Sequence, residues 1–106
     1  MSNLKDNVVI ITGASTGIGE ELAYRLARQG ACLVLTARRQ DELDRVAARV
    51  RDLGARVITA SADIARNDEC GKIINATIGE FGRIDTLVCN AGMTMWARFQ
   101  DIEDVA

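Results

Sequence analysis

The sequence predicts an α/β fold, a doubly wound parallel sheet with helices on both faces. Four short apolar segments alternate along the chain with three segments of helical periodicity. The apolar segments are hydrophobic at nearly every position, which is typical of parallel strands that are buried on both sides. A group of three glycines follows the first of them directly. With right-handed crossovers, the four strands should lie in the order 3-2-1-4.

Length and composition limit the chain to a single domain, which we expect to span residues 1–106. Hydrophobic residues make up 48% and charged residues 26% of the sequence, as in globular proteins with a core. The net charge of -2 argues against nucleic acid and anionic membranes as partners. The first seven residues are polar, and no apolar run approaches the ~18 residues of a membrane span. We therefore expect neither a signal peptide nor a membrane anchor.

The cysteines and the absence of histidine bear on the cellular compartment and on metal binding. The three cysteines, Cys32, Cys70 and Cys89, lie within apolar patterns and are odd in number. They are typical of small core residues in a reducing compartment, so we expect a cytoplasmic protein without a disulfide framework. The sequence contains no histidine, which is the commonest metal ligand, and it predicts no metal site.

The first strand and the segment after it are the most informative part of the chain. The apolar run 8–12 ends at glycines spaced G-x-x-x-G-x-G, and a helix is predicted from about residue 17 to residue 29. Gly13 allows a sharp turn, Gly17 leaves room for a phosphate against the backbone, and Gly19 allows the helix to pack closely on the sheet. A strand, a glycine turn and a helix in this order predict a dinucleotide-binding unit, with the pyrophosphate at the helix N-terminus.

The glycine turn has three alternative interpretations. A phosphate-binding P-loop would end in Gly-Lys-Ser/Thr, but Gly19 is followed by Glu20. A methyltransferase also has a glycine-rich loop after its first strand, but its pattern differs from this one. A structural turn without a ligand stays open from the residues alone.

The remaining elements continue the alternation of strands and helices. In the first helix, Ile18, Leu22 and Leu26 recur every fourth residue and predict its buried side. Gly30 and Gly54 are placed to end the first two helices in the left-handed conformation. The other predicted strands are at 32–36, 56–60 and 84–89. Helices are predicted at 41–53, with Asp41 as the cap, and at 67–81, with an apolar stripe at 70, 73, 74, 77, 78 and 81. Residues 93–106 are predicted to form a loop followed by a first helical turn.

Two motifs of the sequence resemble landmarks of the short-chain dehydrogenase/reductase family. The segment Thr12-Gly13-x-x-x-Gly17-x-Gly19 is similar to the family's cofactor motif, and Asn90-Ala91-Gly92 after the fourth strand is similar to its second landmark. The resemblance implies an incomplete Rossmann-type sheet and an NAD(P)-dependent oxidoreductase that interconverts an alcohol and a carbonyl. The cofactor-binding residues predicted in this way are Gly13, Ser15, Thr16, Gly17, Ile18, Gly19, Arg38, Arg39, Asp63, Ile64, Asn90, Ala91 and Gly92.

The end of the second strand predicts which dinucleotide is preferred. Arg38 and Arg39 follow this strand, and the first acidic residues lie already in the next helix. An acidic residue here would bind the ribose 2′-hydroxyl of NAD, whereas an arginine accommodates the 2′-phosphate of NADP. The resemblance implies that the residue at the position of Arg38 sets the preference for NADP. In the family, the position of Ser15 often holds a small polar or basic residue near the same phosphate. We therefore predict NADP rather than NAD, although two ordinary surface arginines remain the alternative.

Two further groups of residues enter through the resemblance. Asp63 and the backbone of Ile64 match the family's contact with the adenine ring, and the alternative is that Asp63 only caps a loop or a helix. Asn90 has two open roles, because its side chain can join neighbouring strands and its backbone can approach the cofactor.

The catalytic residues of the family are absent from the 106 residues. The family uses a serine and a tyrosine followed four residues later by lysine, but here Tyr24 is followed by Arg28, and the lysines are Lys5 and Lys72. We therefore expect no catalytic residue in this chain and no hydride transfer by the chain alone. The fourth strand should form an unpaired edge, which predicts marginal stability or self-association and leaves a homo-oligomer open.

Three hypotheses about function remain at this point. The first is the N-terminal portion of an NADP-dependent short-chain oxidoreductase acting on a small carbonyl or alcohol substrate. The second is a non-catalytic module that binds the dinucleotide, and the third is an inert fragment.

Overall fold

The computed structural model describes residues 5–15, 17–62, 67–89 and 95–98. Within them, one five-stranded sheet has the order β3-β2-β1-β4-β5. The first four strands are parallel, which confirms the predicted order 3-2-1-4. The elements in chain order are β1 (Val8–Thr12), α1 (Gly17–Arg28), β2 (Cys32–Ala37), α2 (Gln40–Asp52), β3 (Val57–Ser61), α3 (Asn67–Phe81), β4 (Thr86–Cys89) and β5 (Met95–Arg98).

Strand β1 is the centre of the sheet, and all five of its residues are buried. Its middle residue, Ile10, pairs with Val34 of β2 on one side and Leu87 of β4 on the other. Continuous apolarity in β1 and β2 is therefore explained by burial on both faces of a parallel sheet. Because these strands are parallel, their carboxyl ends lie along one edge.

Side chains alternate between two cores on opposite faces of the sheet. Val9 and Ile11 of β1 pack on the side of α1 and α2, whereas Ile10 packs on the side of α3. The α1–α2 face buries Leu43, Val46, Ala47 and Val50 of α2 together with Leu33 and Leu35 of β2. The α3 face buries Val34, Ala62 and Ile73 with Ile10.

The predicted helix ends are confirmed, but one predicted cap is wrong. Gly30 and Gly54 have φ values of +85° and +92° at the ends of α1 and α2, in the left-handed region that favours glycine. Helix α2 begins at Gln40 rather than at 41, and the residue before it, Arg39, makes no side-chain capping hydrogen bond. Asp41 therefore lies inside the first turn, where its charge favours the helix dipole.

Two predicted apolar stripes are also partly wrong. Ile18 is 74% exposed, whereas Leu22 and Leu26 pack against the core as predicted. The fully buried positions of α1 are Gly19, Ala23, Tyr24 and Ala27. On α3 the buried positions include Ile73 and Thr77, whereas Ile74 and Ile78 are exposed. A spacing of four residues identifies one side of a helix, but it does not tell which side contacts the sheet.

The segment after β4 differs most from the prediction. We predicted a loop and a first helical turn over 93–106, but Met95–Arg98 forms β5, which pairs antiparallel with β4. Strand β4 is consequently not the unpaired edge that the sequence predicted. The physical reason is that β4 offers a free row of backbone hydrogen-bonding groups, which the chain satisfies by folding back. Residues 99–106, including Phe99, lie outside the described residues.

A buried carboxylate joins β1 to the start of β4. The Asp85 side chain accepts a hydrogen bond from the Val8 N–H at 2.8 Å, and the Asp85 N–H donates to the Val8 carbonyl at 2.9 Å. Arg83 pairs with the other oxygen of the carboxylate, which raises the pKa of Arg83. At the opposite end, the Thr12 hydroxyl donates to the Val88 carbonyl at 3.2 Å. Across the described residues, no helix combines the length and apolar character needed to cross a membrane.

Candidate functional site

The carboxyl ends of β1, β2 and β3 are joined to one another by hydrogen bonds. The Ala14 N–H, one residue beyond Gly13, donates to the Thr36 carbonyl at 3.2 Å. The Ala62 N–H donates to the Ala37 carbonyl at 2.9 Å in the same way. In doubly wound sheets, ligands bind at this edge, at the point where the strand order reverses. Here the chain connections on the two sides of β1 proceed towards opposite edges of the sheet. The glycine turn lies at this point of the sheet.

The glycine turn has the backbone conformation that its spacing predicts. Gly13 and Gly17 have φ values of +63° and +54°, so both adopt the left-handed region at no steric cost. A Cβ built on Gly17 meets no atom within 4 Å, so the backbone faces open space there. Gly19 is buried on the sheet side of α1, consistent with close helix packing. The turn therefore presents an accessible backbone surface directly before a helix.

The N-terminus of α1 provides the electrostatic part of this surface. Its 12 residues begin at Gly17, and the first N–H groups of a helix have no partner within the helix. Together with the helix dipole, they favour an anion at this end. Ile18 extends beside them as an exposed apolar side chain. This combination suits a ligand with both phosphate and ring components.

The two predicted arginines lie directly beyond β2. Arg38 and Arg39 are both exposed, and the Ser61 hydroxyl donates to the Arg38 carbonyl at 2.9 Å. Arg39 makes a loose exposed pair with Asp41 at 3.5 Å. Among residues whose structure is described, Arg38 has no ion-pair partner. The Arg38 backbone is thus held at the edge while its guanidinium extends towards solvent.

An ion-pair network centred on Arg45 lies behind the turn and was not predicted from the sequence. Arg45 of α2 contacts both carboxylate oxygens of Glu20 at 3.0 and 3.2 Å, and it donates to the Ser15 carbonyl at 3.2 Å. Arg45 also pairs with Glu42 at 3.1 Å. Hydrogen bonds from Arg45, and next from Tyr24, lower the pKa of Glu20. No local signal reveals this network, because Glu20 and Arg45 are 25 residues apart in the sequence.

Several predicted site residues lie outside the described residues. They are Thr16, Asp63, Ile64, Asn90, Ala91 and Gly92. Those that the structure does bring to the carboxyl edge are Gly13, Ser15, Gly17, Ile18, Gly19, Arg38 and Arg39. In the described part of the chain, no group of histidine, cysteine, aspartate and glutamate side chains is arranged to hold a metal ion.

Comparison with known proteins bears directly on this arrangement. Residues 7–106 match the family model described as short chain dehydrogenase. The chain belongs to the short-chain dehydrogenase family. The glycine turn and the sheet order described above are therefore those of a family of oxidoreductases.

Curated members of the short-chain dehydrogenase family match nearly the whole chain. It is 54% identical over 104 residues to 11-beta-hydroxysteroid dehydrogenase 1A of Arabidopsis thaliana, covering 97% of this chain and 30% of that protein. It is 50% identical over 99 residues to 11-beta-hydroxysteroid dehydrogenase A of Sesamum indicum, covering 92% and 28%. The chain thus spans about 30% of the length of the relatives it matches.

Solved structures of short-chain dehydrogenases share the fold. A short-chain type dehydrogenase/reductase from Mycobacterium marinum superposes with a TM-score of 0.82 at 36% identity, over 86% of this chain and 37% of that chain. L-sorbose reductase from Gluconobacter frateurii, complexed with NADPH and L-sorbose, has a TM-score of 0.82 at 35% identity over 86% and 35%. Xylitol dehydrogenase bound to NAD+ has the same TM-score at 28% identity, over 87% and 35%. Both dinucleotides thus occur among structural relatives.

The single tyrosine of the chain is held in the core. Tyr24 is buried on the α1–α2 side of the sheet, and its hydroxyl donates to Glu20 at 2.7 Å. The guanidinium carbon of Arg49 lies 4.8 Å from the centre of its ring. Burial and the bond to Glu20 raise the pKa of Tyr24, which makes it a poorer proton donor. Tyr24 therefore acts in helix packing.

Proposed function

We propose that this chain is the NADP-binding N-terminal portion of an oxidoreductase that interconverts an alcohol and a carbonyl. The observation that carries the proposal is the left-handed, open glycine turn at the carboxyl end of β1, followed directly by α1. Membership of the short-chain dehydrogenase family supports the reaction class.

The turn and α1 would hold the pyrophosphate. Gly17 leaves open space at the backbone, and the free N–H groups of the helix are donors to phosphate oxygens. A bound dinucleotide would supply the hydride chemistry, whereas the residues described here bind and orient it. Ile18, exposed beside the turn, is available for apolar contact with a ring of the ligand.

The preference for NADP rests on Arg38. It follows β2, whose residue Thr36 is hydrogen-bonded to Ala14 in the glycine turn, and its side chain is exposed. A guanidinium that has no carboxylate partner within the described part of the chain suits a 2′-phosphate, with which it would form charge-assisted hydrogen bonds. The adenine contacts proposed for Asp63 and Ile64, and the ribose contacts proposed for Asn90, Ala91 and Gly92, complete the site.

By itself, the chain is proposed to bind cofactor without transferring hydride. The support is that Tyr24, its single tyrosine, is buried in the α1–α2 core with its hydroxyl bonded to Glu20. A cytoplasmic, reducing environment is proposed from the buried thiol of Cys32, whose pKa is raised mainly by its burial.

Calorimetric titration of the chain with NADP and with NAD tests the proposal. We expect tighter binding of NADP, and a loss of about 10-fold in NADP affinity with no change for NAD in Arg38→Ala, since a hydrogen bond to a charged group contributes about 1.5–3 kcal/mol. Arg51→Ala, an exposed arginine in the last turn of α2, is the control and should bind both as the parent chain does. Equal affinities of the parent chain for NAD and NADP would remove the role of Arg38.

A further inference from the structure

The side chain of Arg45 links helix α2 to the glycine turn. Its guanidinium forms a fork with the two carboxylate oxygens of Glu20 at 3.0 and 3.2 Å. One nitrogen of this fork, Nη2, also donates to the backbone carbonyl of Ser15 at 3.2 Å. Ser15 lies between Gly13 and Gly17 in the turn. Residues 30 positions apart in the sequence are thereby joined at the turn.

This contact differs from the other arginine–carboxylate pairs on the helices. Arg25 and Glu21 of α1 lie 3.6 Å apart, are both well exposed, and pair within a single helix. Glu20 is only 20% exposed, and the Tyr24 hydroxyl holds the same carboxylate at 2.7 Å. Arg45 therefore bonds a carboxylate, that of Glu20, whose position is already determined by packing. This reduces the entropy cost of ordering the Arg45 side chain.

We propose that Arg45 is a positioning residue that holds the glycine turn in its binding shape from α2. A peptide group is planar and rotates as a unit, so a guanidinium bonded to the Ser15 carbonyl restricts rotation of that peptide. The peptide lies between two glycines, Gly13 and Gly17, which lose the most conformational freedom on folding. The proposal rests on the proposed function, since the shape it preserves is the one that would accept a pyrophosphate.

Charge balance separates this role from direct binding of phosphate. Arg45 is bonded to Glu20 and Glu42, so two carboxylates already offset its charge. Arg38, in contrast, has no such partner among the described residues. Loss of Arg45 should therefore weaken binding of NADP and NAD by the same factor, whereas loss of Arg38 affects NADP alone.

Amide hydrogen exchange in the chain without cofactor provides the direct test. The Ala14 N–H, bonded to the Thr36 carbonyl, reports on the turn, and the Leu33 N–H, bonded to the Arg56 carbonyl, reports on the distant end of β2. In Arg45→Met we expect exchange at Ala14 to accelerate about 10-fold while Leu33 changes less than about twofold, as for a local opening. In Arg25→Met, the matched control, neither amide should change.

The opposite outcomes would overturn the role of Arg45. They are an unchanged Ala14 rate in Arg45→Met, or an equal acceleration at Ala14 and Leu33, which would mark a general loss of stability. Glu20→Gln separates the contact of Arg45 with Glu20 from its contact with Ser15, because it weakens the link to α1 but leaves the Ser15 carbonyl available. We expect a smaller acceleration at Ala14 than in Arg45→Met, and an equal or larger one would assign the effect to helix packing.

Titration with both dinucleotides then distinguishes failure of this inference from failure of the proposed function. Arg45→Met should weaken NADP and NAD equally, by about fivefold each, which corresponds to about 1 kcal/mol. A loss confined to NADP would make Arg45 a phosphate ligand and contradict the positioning role. If the parent chain binds neither dinucleotide, the proposed function fails, while the exchange rates still decide whether Arg45 holds the turn.

Discussion

On the face of the sheet covered by α1 and α2, buried side chains from both helices and the strands form one continuous cluster. On the face covered by α3, the buried cluster formed by the described residues consists of Ile10, Val34, Ala62 and Ile73, and the other apolar residues packed against it are only partly covered. Helix α3 also exposes Ile78 to 46%. The same strands thus serve two faces that are packed to different degrees.

The comparison indicates which part of the molecule should resist change. The face with the larger buried cluster carries α1, α2 and the Arg45 contact behind the glycine turn, so the candidate site is built on that side. We expect the α3 face to contribute less to the free energy of unfolding, because less apolar surface is removed from water there. Four measurements of unfolding by denaturant test this difference.

The largest effect is expected from Leu43→Ala on α2. Leu43 is fully buried, and truncation leaves a cavity between α2 and the sheet, at a cost of about 4 kcal/mol in the free energy of unfolding. Ile73→Ala on α3, at a position 4% exposed, should cost only about 2 kcal/mol because its surroundings are less tightly packed. Equal losses from the two substitutions would contradict the comparison of the faces.

The next effect concerns Asp85, which joins β1 to β4 between the two faces. Asp85→Ala leaves the buried Val8 N–H without its acceptor and should lower the free energy of unfolding by about 2 kcal/mol. Asp85→Asn, which keeps one acceptor oxygen, should lose less. Asp52→Ala, at an exposed position, serves as the control. If Asp52→Ala lowered the free energy of unfolding as much as Asp85→Ala does, a specific role for the β1–β4 contact would be refuted.

A smaller, pH-dependent effect is expected from Glu20 on the face covered by α1 and α2. Its pKa is lowered in the folded chain, so its stabilising contribution is present above its ordinary pKa of about 4.3 and is lost as the pH falls through the folded value. Glu20→Gln should therefore cost about 1 kcal/mol at pH 7 and show a shallower loss of stability below about pH 4.3. Parallel pH profiles for the parent chain and Glu20→Gln would show that Glu20 is not linked to folding.

The smallest effect is expected from Ile78→Ser on the exposed side of α3. Isoleucine and serine have similar helix propensities, and an exposed position loses little burial, so the change should be within about 0.5 kcal/mol. A loss of about 2 kcal/mol or more would mean that Ile78 is covered when the chain is in solution. Sedimentation of the parent chain and the variant would then reveal whether a second copy covers it.

The parts of the molecule that were predicted correctly depend on short-range patterns. Continuous apolar runs identified β1 to β4, and right-handed crossovers determined their order. Gly30 and Gly54 marked helix ends because few other residues adopt a positive φ easily. Strand β5 was missed because four residues carry little periodicity, and their pairing depends on a partner strand.

By itself, the sequence determined the alternation of strands and helices, the position of the glycine turn and the two arginines beyond β2. These features depend on burial of neighbouring residues and on backbone conformations that only certain residues favour. Only the tertiary structure decided that Ile18 is exposed, that β4 is paired with β5, and that Arg45 is bonded to the Ser15 carbonyl. Arg45 and Ser15 are 30 positions apart in the sequence, and the exposure of Ile18 depends on how α1 lies on the sheet, so both are determined by packing of the helices and not by a local pattern.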